Sequence, residues 1–580
     1  MKHISERKVL LLLSLVVGLG SGFAAVVLTW LIHLIKDLLN GGFAGSDYNW
    51  QYLLLPGAGM FVSLLLLRYL VRDDIGHGVT KVLVAVSRNE SRIKPHNMWS
   101  SIATSAVTIG FGGSVGAEAP IVYTGAAIGS NIGRAFGLSY RNVTILLGCG
   151  AAGAVAGIFK APLAGVLFTI EILLFNVSMS SMLPLLISTI SATVVSYLLL
   201  GQTPVFACTL TEFSMVNLPF YIILGVVGAF GSLYFTNVTL WLEDKLSKFN
   251  NRYLKCILCA LGLGLLIFLF PPLYGEGYDS LGALLNGQEI TIEGHTFLAS
   301  LMDSPWGIPV FFALIFFAKV LAMTLTNAGG GVGGTFGPTL FAGAILGFVV
   351  ARVLNLCLAG SALTVPEQNF VLVGMAAMMA GVMQAPMTAI FLIAEISGGY
   401  GLLIPLFLTA TVSYGTVRIF DHYSIYTKRI AQKGDLLTHD NDKAVLTLMH
   451  TGDLIRDKYP RMHMDDSLGD VARTIANSDA AVFAVVDEND HYQGMLDIGN
   501  VRKYMLRTDL YKKMTVRNLM EDAPALVNKS DSMAAVMQKF DETQAWRLPV
   551  IDEDGRYLGF ISRSRILTAY REELKEISQD

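Results

Sequence analysis

The sequence predicts a polytopic α-helical membrane protein whose membrane part is two homologous halves with broken helices, followed by an α/β tail. Three observations carry this. The 580 residues are 53% hydrophobic and 15% charged, with a mean hydropathy of +0.54, which is too apolar for a soluble chain of this length. The membrane part repeats itself at a nearly constant offset. The charges, which sum to −3, are sparse before about residue 425 and dense after it.

The basic start MKHISERK precedes a segment too long, and too poorly ended by small residues, to be a cleaved signal peptide, so it is expected in the cytoplasm. An even number of complete crossings would put the last 150 residues there too. Residues 9–35, 52–71 and 310–323 are long enough, with their flanks, to cross about 30 Å of hydrocarbon as helices. The stretch Thr144 to Ile158 reads as short and broken by glycine. Helices that stop inside a bilayer must shelter their freed backbone groups within protein or around an aqueous cavity, which favours a conduit. The five cysteines (Cys149, Cys208, Cys256, Cys259, Cys357) show no paired metal spacing. Cys256 and Cys259 form a lone CxxC inside an apolar helix, which reads as packing rather than redox chemistry.

The internal repeat decides the architecture. SVGAEAPIVYTGAAIG (114–129) matches GVGGTFGPTLFAGAILG (331–347), pairing Pro120 with Pro338, Gly125 with Gly343 and Gly129 with Gly347 at an offset of 218. AVAGIFKAPLAGVLFTIEI (154–172) matches MMAGVMQAPMTAIFLIAEI (378–396), pairing Gly157 with Gly381, Pro162 with Pro386 and Glu171 with Glu395 at 224. The halves are expected at about 8–205 and 218–425 of a membrane domain spanning 1–430.

Each half contributes a glycine-rich turn that leads into a helix, GGSVGAEAP and GGVGGTFGP. A helix amino terminus inside the bilayer offers unpaired N–H groups and about half a positive charge. Two such ends facing each other make an anion site without a full cationic side chain. Close packing of small residues explains Gly125 and Gly129, but not polar turns at matching positions. A third turn, DDIGHGVTKV (73–82), sets His77 between Gly76 and Gly78.

With these turns the sequence resembles the CLC family of chloride channels and chloride/proton antiporters, from about residue 10 to the carboxyl end. GHGVT (76–80), GAEAP (116–120), GGTFGP (333–338) and HYSIYTKRIAQKG (422–434) occur in the family's order. The resemblance implies two inverted repeats and a homodimer in which each subunit has its own anion path. It makes Glu118 the gating carboxylate, an anion mimic tolerated because helix ends offset an insertion cost of about 2.5–3.5 kcal/mol. It assigns anion contact to Gly76, His77, Gly78, Gly116, Ala117, Ala119, Gly334, Thr335, Phe336 and Tyr426, with the Thr335 and Phe336 amides and the Tyr426 hydroxyl holding the central ion. Weak, repeated binding of this kind suits conduction. No metal, cofactor or nucleic acid is implied; chloride or another small anion is the substrate and lipid the surround.

The chain departs from the family's pattern in three places. His77 and Thr80 stand where many relatives carry Ser and Pro, which puts a titratable imidazole near the central site. Ala117 and Ala119 replace a basic residue and a glycine, which weakens the field at the outer mouth. Ile172 stands where proton-coupled members place an internal acid, so passive, gated conduction is expected, with a chloride/proton antiporter using another internal proton path as the alternative. Glu171, its neighbour, aligns with Glu395 and is expected to be structural.

After a linker at 431–445 the tail also repeats: 465–505 lies over 530–570 without a gap, matching Ser467 to Ser532, Asp487 to Asp552 and Gly494 to Gly559. This looks like a CBS pair, 446–510 and 511–575. Such pairs often bind adenine nucleotides through an Asp late in each repeat. Asn500 and Arg565 occupy those positions, so a regulatory or dimer-stabilising role follows and nucleotide sensing does not. A CBS-linked cation transporter would want rings of acids in the membrane, whereas the apparent intramembrane acids are mainly Glu118, Glu171 and Glu395. A fluoride transporter would be expected to carry a different gating motif. A hydrolase would need a nucleophile or metal constellation on facing helices, and the histidines are solitary.

Overall fold

A computed structural model describes residues 6–43, 51–73, 75–88, 91–173, 179–206, 211–287, 304–359, 363–432, 449, 451–456, 459–478 and 480–578. The start of the chain, Cys208 and most of the expected 431–445 linker lie outside the described residues. The chain divides into two compact units, Met1–Leu437 and Thr438–Asp580.

In the first unit, among the described residues, nine helices are long and apolar enough to cross a membrane. They expose large apolar side chains such as Leu12, Trp30, Leu198, Ile257, Leu261 and Ile419. Exposure of this kind suits a lipid surround and would be a liability in water. The three expected spans fall inside helices Glu6–Phe43, Gln51–Leu65 with its π-helical continuation Leu66–Val71, and Gly307–Ala328. Thr144–Ile158 corrects the expectation of a broken helix: it belongs to one continuous helix, Tyr140–Phe159.

Its glycines serve close approach instead. A β-carbon on Gly150 would run into the carbonyl of Gly125 on the neighbouring helix, and in return one on Gly125 would meet that of Gly150 and one on Gly129 that of Leu146. The same contacts recur in the other half, Gly343 on Gly374 and Gly347 on Phe370. Helix Glu118–Ala135 thus lies backbone to backbone on Tyr140–Phe159, and Phe336–Cys357 lies in the same way on Glu367–Val382. Lys160 (φ +55°) and Gln384 (φ +53°) end matching turns, after which Pro162 and Pro386 open the next helices, where a proline lacking its N–H costs nothing. Cys256 and Cys259 are buried free thiols, facing the packed interior as expected.

The second unit holds two three-stranded sheets of identical plan. Strands β1 (Arg461–His463), β2 (Val482–Val486) and β3 (Tyr492–Asp497) form one, and β4 (Val527–Asn528), β5 (Arg547–Ile551) and β6 (Tyr557–Ser562) the other. In each the first pair is parallel and the second antiparallel, with a register shift at Val485/Val486 and at Val550/Ile551. The modules bond to each other reciprocally, Tyr492 N to Gly555 O at 3.1 Å and Tyr557 N to Asp490 O at 2.9 Å.

Because the Gly129 contact is with backbone, which cannot swing aside, Gly129→Ala should destabilise the membrane unit by about 1–3 kcal/mol. Gly415→Ala meets nothing within 4 Å in a helix interior and should be neutral or stabilising. Thermal unfolding of the detergent-purified variants compares the two; equal stabilities would refute the close-packing account.

Candidate functional site

The two glycine-rich turns meet in the middle of the membrane unit. One follows helix Ser100–Gly110 and the other follows Gly307–Ala328. Each bends back at a glycine in a conformation that other residues rarely adopt, Gly112 (φ +96°) and Gly330 (φ +110°). They are joined by a two-bond bridge, Gly116 N to Gly334 O at 3.2 Å and Gly334 N to Gly116 O at 2.7 Å. A second reciprocal pair braces it: Ser114 N donates to Thr326 Oγ1 (3.2 Å) and Val332 N to Thr108 Oγ1 (3.0 Å). Each helix that precedes a turn therefore supplies the acceptor for the other half's turn.

From this bridge helices Glu118–Ala135 and Phe336–Cys357 start, their first amides free of intrahelical partners. Glu118 is 2% exposed. Its Oε2 accepts from Gly337 N at 3.2 Å, and its Oε1 accepts from Tyr278 Oη at 2.5 Å. The carboxylate of one half thus sits at the positive end of the other half's helix. A β-carbon on Gly116 would collide with Oε2, so only glycine leaves the carboxylate this seat.

Tyr426, on helix Ile425–Gln432, is 2% exposed. Its hydroxyl faces Thr335, yet Tyr426 Oη, Thr335 Oγ1 and Thr80 Oγ1 are all buried without a hydrogen bond. Buried hydroxyls left in this state carry a cost that a bound acceptor would relieve. Phe336 packs between Phe159 and Phe168, with ring centroids 5.5 and 6.1 Å away. A β-carbon on Gly78 would meet the carbonyl of Ala119, and one on Gly334 would meet the β-carbon of Ala119. Gly78, Gly116, Ala119 and Gly334 therefore crowd together beside Ala117 and Glu118, with Thr335 and Phe336 next in the chain. Gly76 (φ +45°) turns the backbone into helix Gly78–Arg88. His77 differs: its Nε2 lies 3.4 Å from Glu243 Oε1, and Glu243 is held bidentately by Arg429 at 3.1 and 2.6 Å.

Glu171 and Glu395 exchange helix caps between the halves. Glu171 accepts from Met387 N (3.0 Å) and Thr388 N (2.7 Å), and Glu395 from Leu163 N (3.1 Å) and Ala164 N (2.9 Å). Ile172, beside this cap, is 4% exposed. In the tail, Asn500 donates to Glu521 Oε1 at 2.7 Å and Arg563 to Asp541 Oδ1 at 2.6 Å.

Sequence reasoning missed Glu276, Tyr278, Lys319, Glu243 and Arg429. Glu276 Oε1 accepts from Ala117 N at 3.0 Å. Lys319, fully buried, donates to Ser114 Oγ at 2.9 Å and Gly275 O at 3.3 Å, with Nζ 4.8 Å from the centre of the Phe341 ring. The weak field expected from Ala117 is thus amended by a buried cation from another helix. A solitary lysine in VFFALIFFAKVLAM was the available signal, as was the acid in PPLYGEGY.

The family model "Voltage gated chloride channel" matches residues 58–418, and the CBS domain model matches 452–507 and 516–572. The chain is 29% identical, over 67% of its own length and 87% of the relative's, to a putative chloride channel protein ClcB-like of Ralstonia nicotianae. It is 26% identical, over 72% and 88%, to an H(+)/Cl(−) exchange transporter ClcA of Vibrio cholerae. The crystal structure of a slow cyanobacterial Cl−/H+ antiporter superposes with a TM-score of 0.63 at 22% identity, covering 73% of this chain and 97% of that one.

The threonine brace is directly testable. Thr326→Val or Thr108→Val strips the acceptor from a buried amide of the opposite turn, and each should cost about 1–3 kcal/mol. Unfolding of the two variants should show similar losses; an unchanged stability for either would mean that its amide finds another partner.

Proposed function

The chain belongs to the voltage gated chloride channel (CLC) family, and on that premise we propose that it conducts chloride passively across the membrane along one path per subunit, gated by Glu118. One observation carries the reading: the Glu118 carboxylate lies on Gly337 N–H at a helix amino terminus, in a seat built for an anion. Protonation removes its charge and frees that seat for chloride. Along the path the ion meets the backbone amides of Ala119, Thr335 and Phe336 and the hydroxyl of Tyr426, with the Ala117 amide held by Glu276, and with Gly116 and Gly334, whose amides are spent on their bridge, and Gly76 and Gly78 shaping the walls. The unpartnered hydroxyls of Tyr426 and Thr335 support this central position. They are neutral donors, so the ion is held without being trapped. His77 acts on the path through its contact with Glu243.

Ile172, a buried hydrocarbon where proton-coupled members carry an acid, supports passive conduction. Proton-coupled exchange is the second reading, favoured by similarity to a protein described as an H(+)/Cl(−) exchange transporter. In either case the protein works as a homodimer, with its amino terminus and CBS pair in the cytoplasm, where the pair regulates or steadies the dimer.

The deciding measurement is chloride efflux from proteoliposomes, with internal pH recorded and the voltage clamped by a potassium ionophore. Flux that stops at the chloride equilibrium potential without proton movement is expected; uphill proton movement driven by chloride would establish exchange. Replacing chloride by fluoride in the same assay tests selectivity. Glu118→Gln should raise flux at neutral pH by about tenfold, equivalent to about 1.4 kcal/mol, and remove most of its stimulation by acid. An unchanged pH profile would take Glu118 out of the gate. Tyr426→Phe should weaken chloride binding, measured by calorimetry, by about tenfold; wild-type affinity would place the hydroxyl outside the path.

A further inference from the structure

We propose that Glu276 is a second gating carboxylate, which occupies the Ala117 amide at the outer end of the path as Glu118 occupies the Gly337 amide. This rests on the reading of Glu118 as the gate.

The loop that carries Glu276 is fastened to the first turn at several points. Gly275 N donates to Gly112 O at 3.0 Å, and Ser114 Oγ donates to Leu273 O at 2.7 Å. Glu276 then takes the amide of Ala117, the residue immediately before Glu118, and Tyr278, two residues on, donates to Glu118 itself. One short segment therefore handles both carboxylates. Each sits on the first amides of a helix from a different half, and each excludes an anion from the amide it holds.

Their surroundings differ. Glu118 is buried, whereas Glu276 is half-buried. The charges that act on Glu276 come from three sides: Glu118 from its helix, Lys319 from Gly307–Ala328 and Lys36 from Glu6–Phe43. Lys36 lies 3.7 Å from the exposed Asp279, and the Tyr278 hydroxyl completes the set. The two carboxylates repel each other and balance the two lysines. Protonating Glu276 weakens its hold on the Ala117 amide, which favours an incoming anion there. Glu276 thereby helps set the acidity at which the path opens.

The test is chloride flux at a fixed voltage in proteoliposomes buffered to the same pH on both sides, scanned from acidic to mildly alkaline. Wild type, Glu118→Gln, Glu276→Gln and the double variant are compared. Glu276→Gln should raise flux at neutral pH and move the half-maximal point to higher pH. In the Glu118→Gln background it should abolish the acid stimulation that remains. If Glu118→Gln itself matches wild type, the gate reading fails and this inference with it. If Glu118→Gln alters the profile while Glu276→Gln superimposes on wild type, or scales flux equally at every pH, Glu276 is a structural cap and the inference alone is overturned. Lys36→Met provides a second reading that leaves the loop intact. Loss of a cation beside Glu276 makes that carboxylate easier to protonate, so the half-maximal point should again rise; an unmoved profile counts against the proposal even where Glu276→Gln does not fold.

Discussion

Two polypeptide turns cross the buried interior of the membrane unit, and each is completed by the other half of the chain. The Gly116–Gly334 bridge and the exchanged threonine acceptors Thr326 and Thr108 join the halves by the same bonds in both directions. A buried amide without a partner is expensive, so neither half can hold its turn without the other. The direction in which helices Glu118–Ala135 and Phe336–Cys357 leave the bridge follows from it, and so does the convergence of their free amides.

The exchange of carboxylates has the same logic. Glu171, Glu395, Glu118 and Glu276 all lie on helix amino termini that are not their own, and a helix terminus makes no distinction between a side-chain carboxylate and a free anion. What separates them is the strength of the grip. Glu171 and Glu395 each accept from two successive amides, one on each oxygen, which is the geometry of a fixed cap. Glu118 is held by the Gly337 amide, its own amide and a tyrosine hydroxyl, and Glu276 by one amide. A carboxylate with one amide is more readily displaced than one with two, so Glu276 has the loosest seat of the four, while Glu118 is the one whose seat mixes amides with a hydroxyl that can turn away.

Much of this was legible in the sequence because symmetry doubles each signal. Gly125 with Gly343 and Glu171 with Glu395 are single residues of little meaning alone, but the repeat turns each pair into one structural role used twice. The helix at Thr144–Ile158 was misread because its glycines look like breaks, whereas a partner backbone lies against them and keeps the helix continuous. Glu276 and Lys319 have no charged symmetry mate: the positions 218 residues before them are Ala58 and Ser101. Their importance arises only when a loop and a helix from the second half fold onto the first turn. His77 was placed near the central site by its glycine neighbours, and tertiary charge drew its ring to Glu243.

Lys319 also shows how a buried cation and a passing anion can coexist. An ammonium exposed in a dry path would hold an anion too firmly to release it. Here Nζ is turned onto Ser114 Oγ, Gly275 O and the Phe341 ring, and its charge is balanced by carboxylates nearby. The groups left for the proposed ion path are amides and hydroxyls, each weak enough to let go. A lysine held back in this way is kept from binding the ion directly, which leaves that role to groups that can release it.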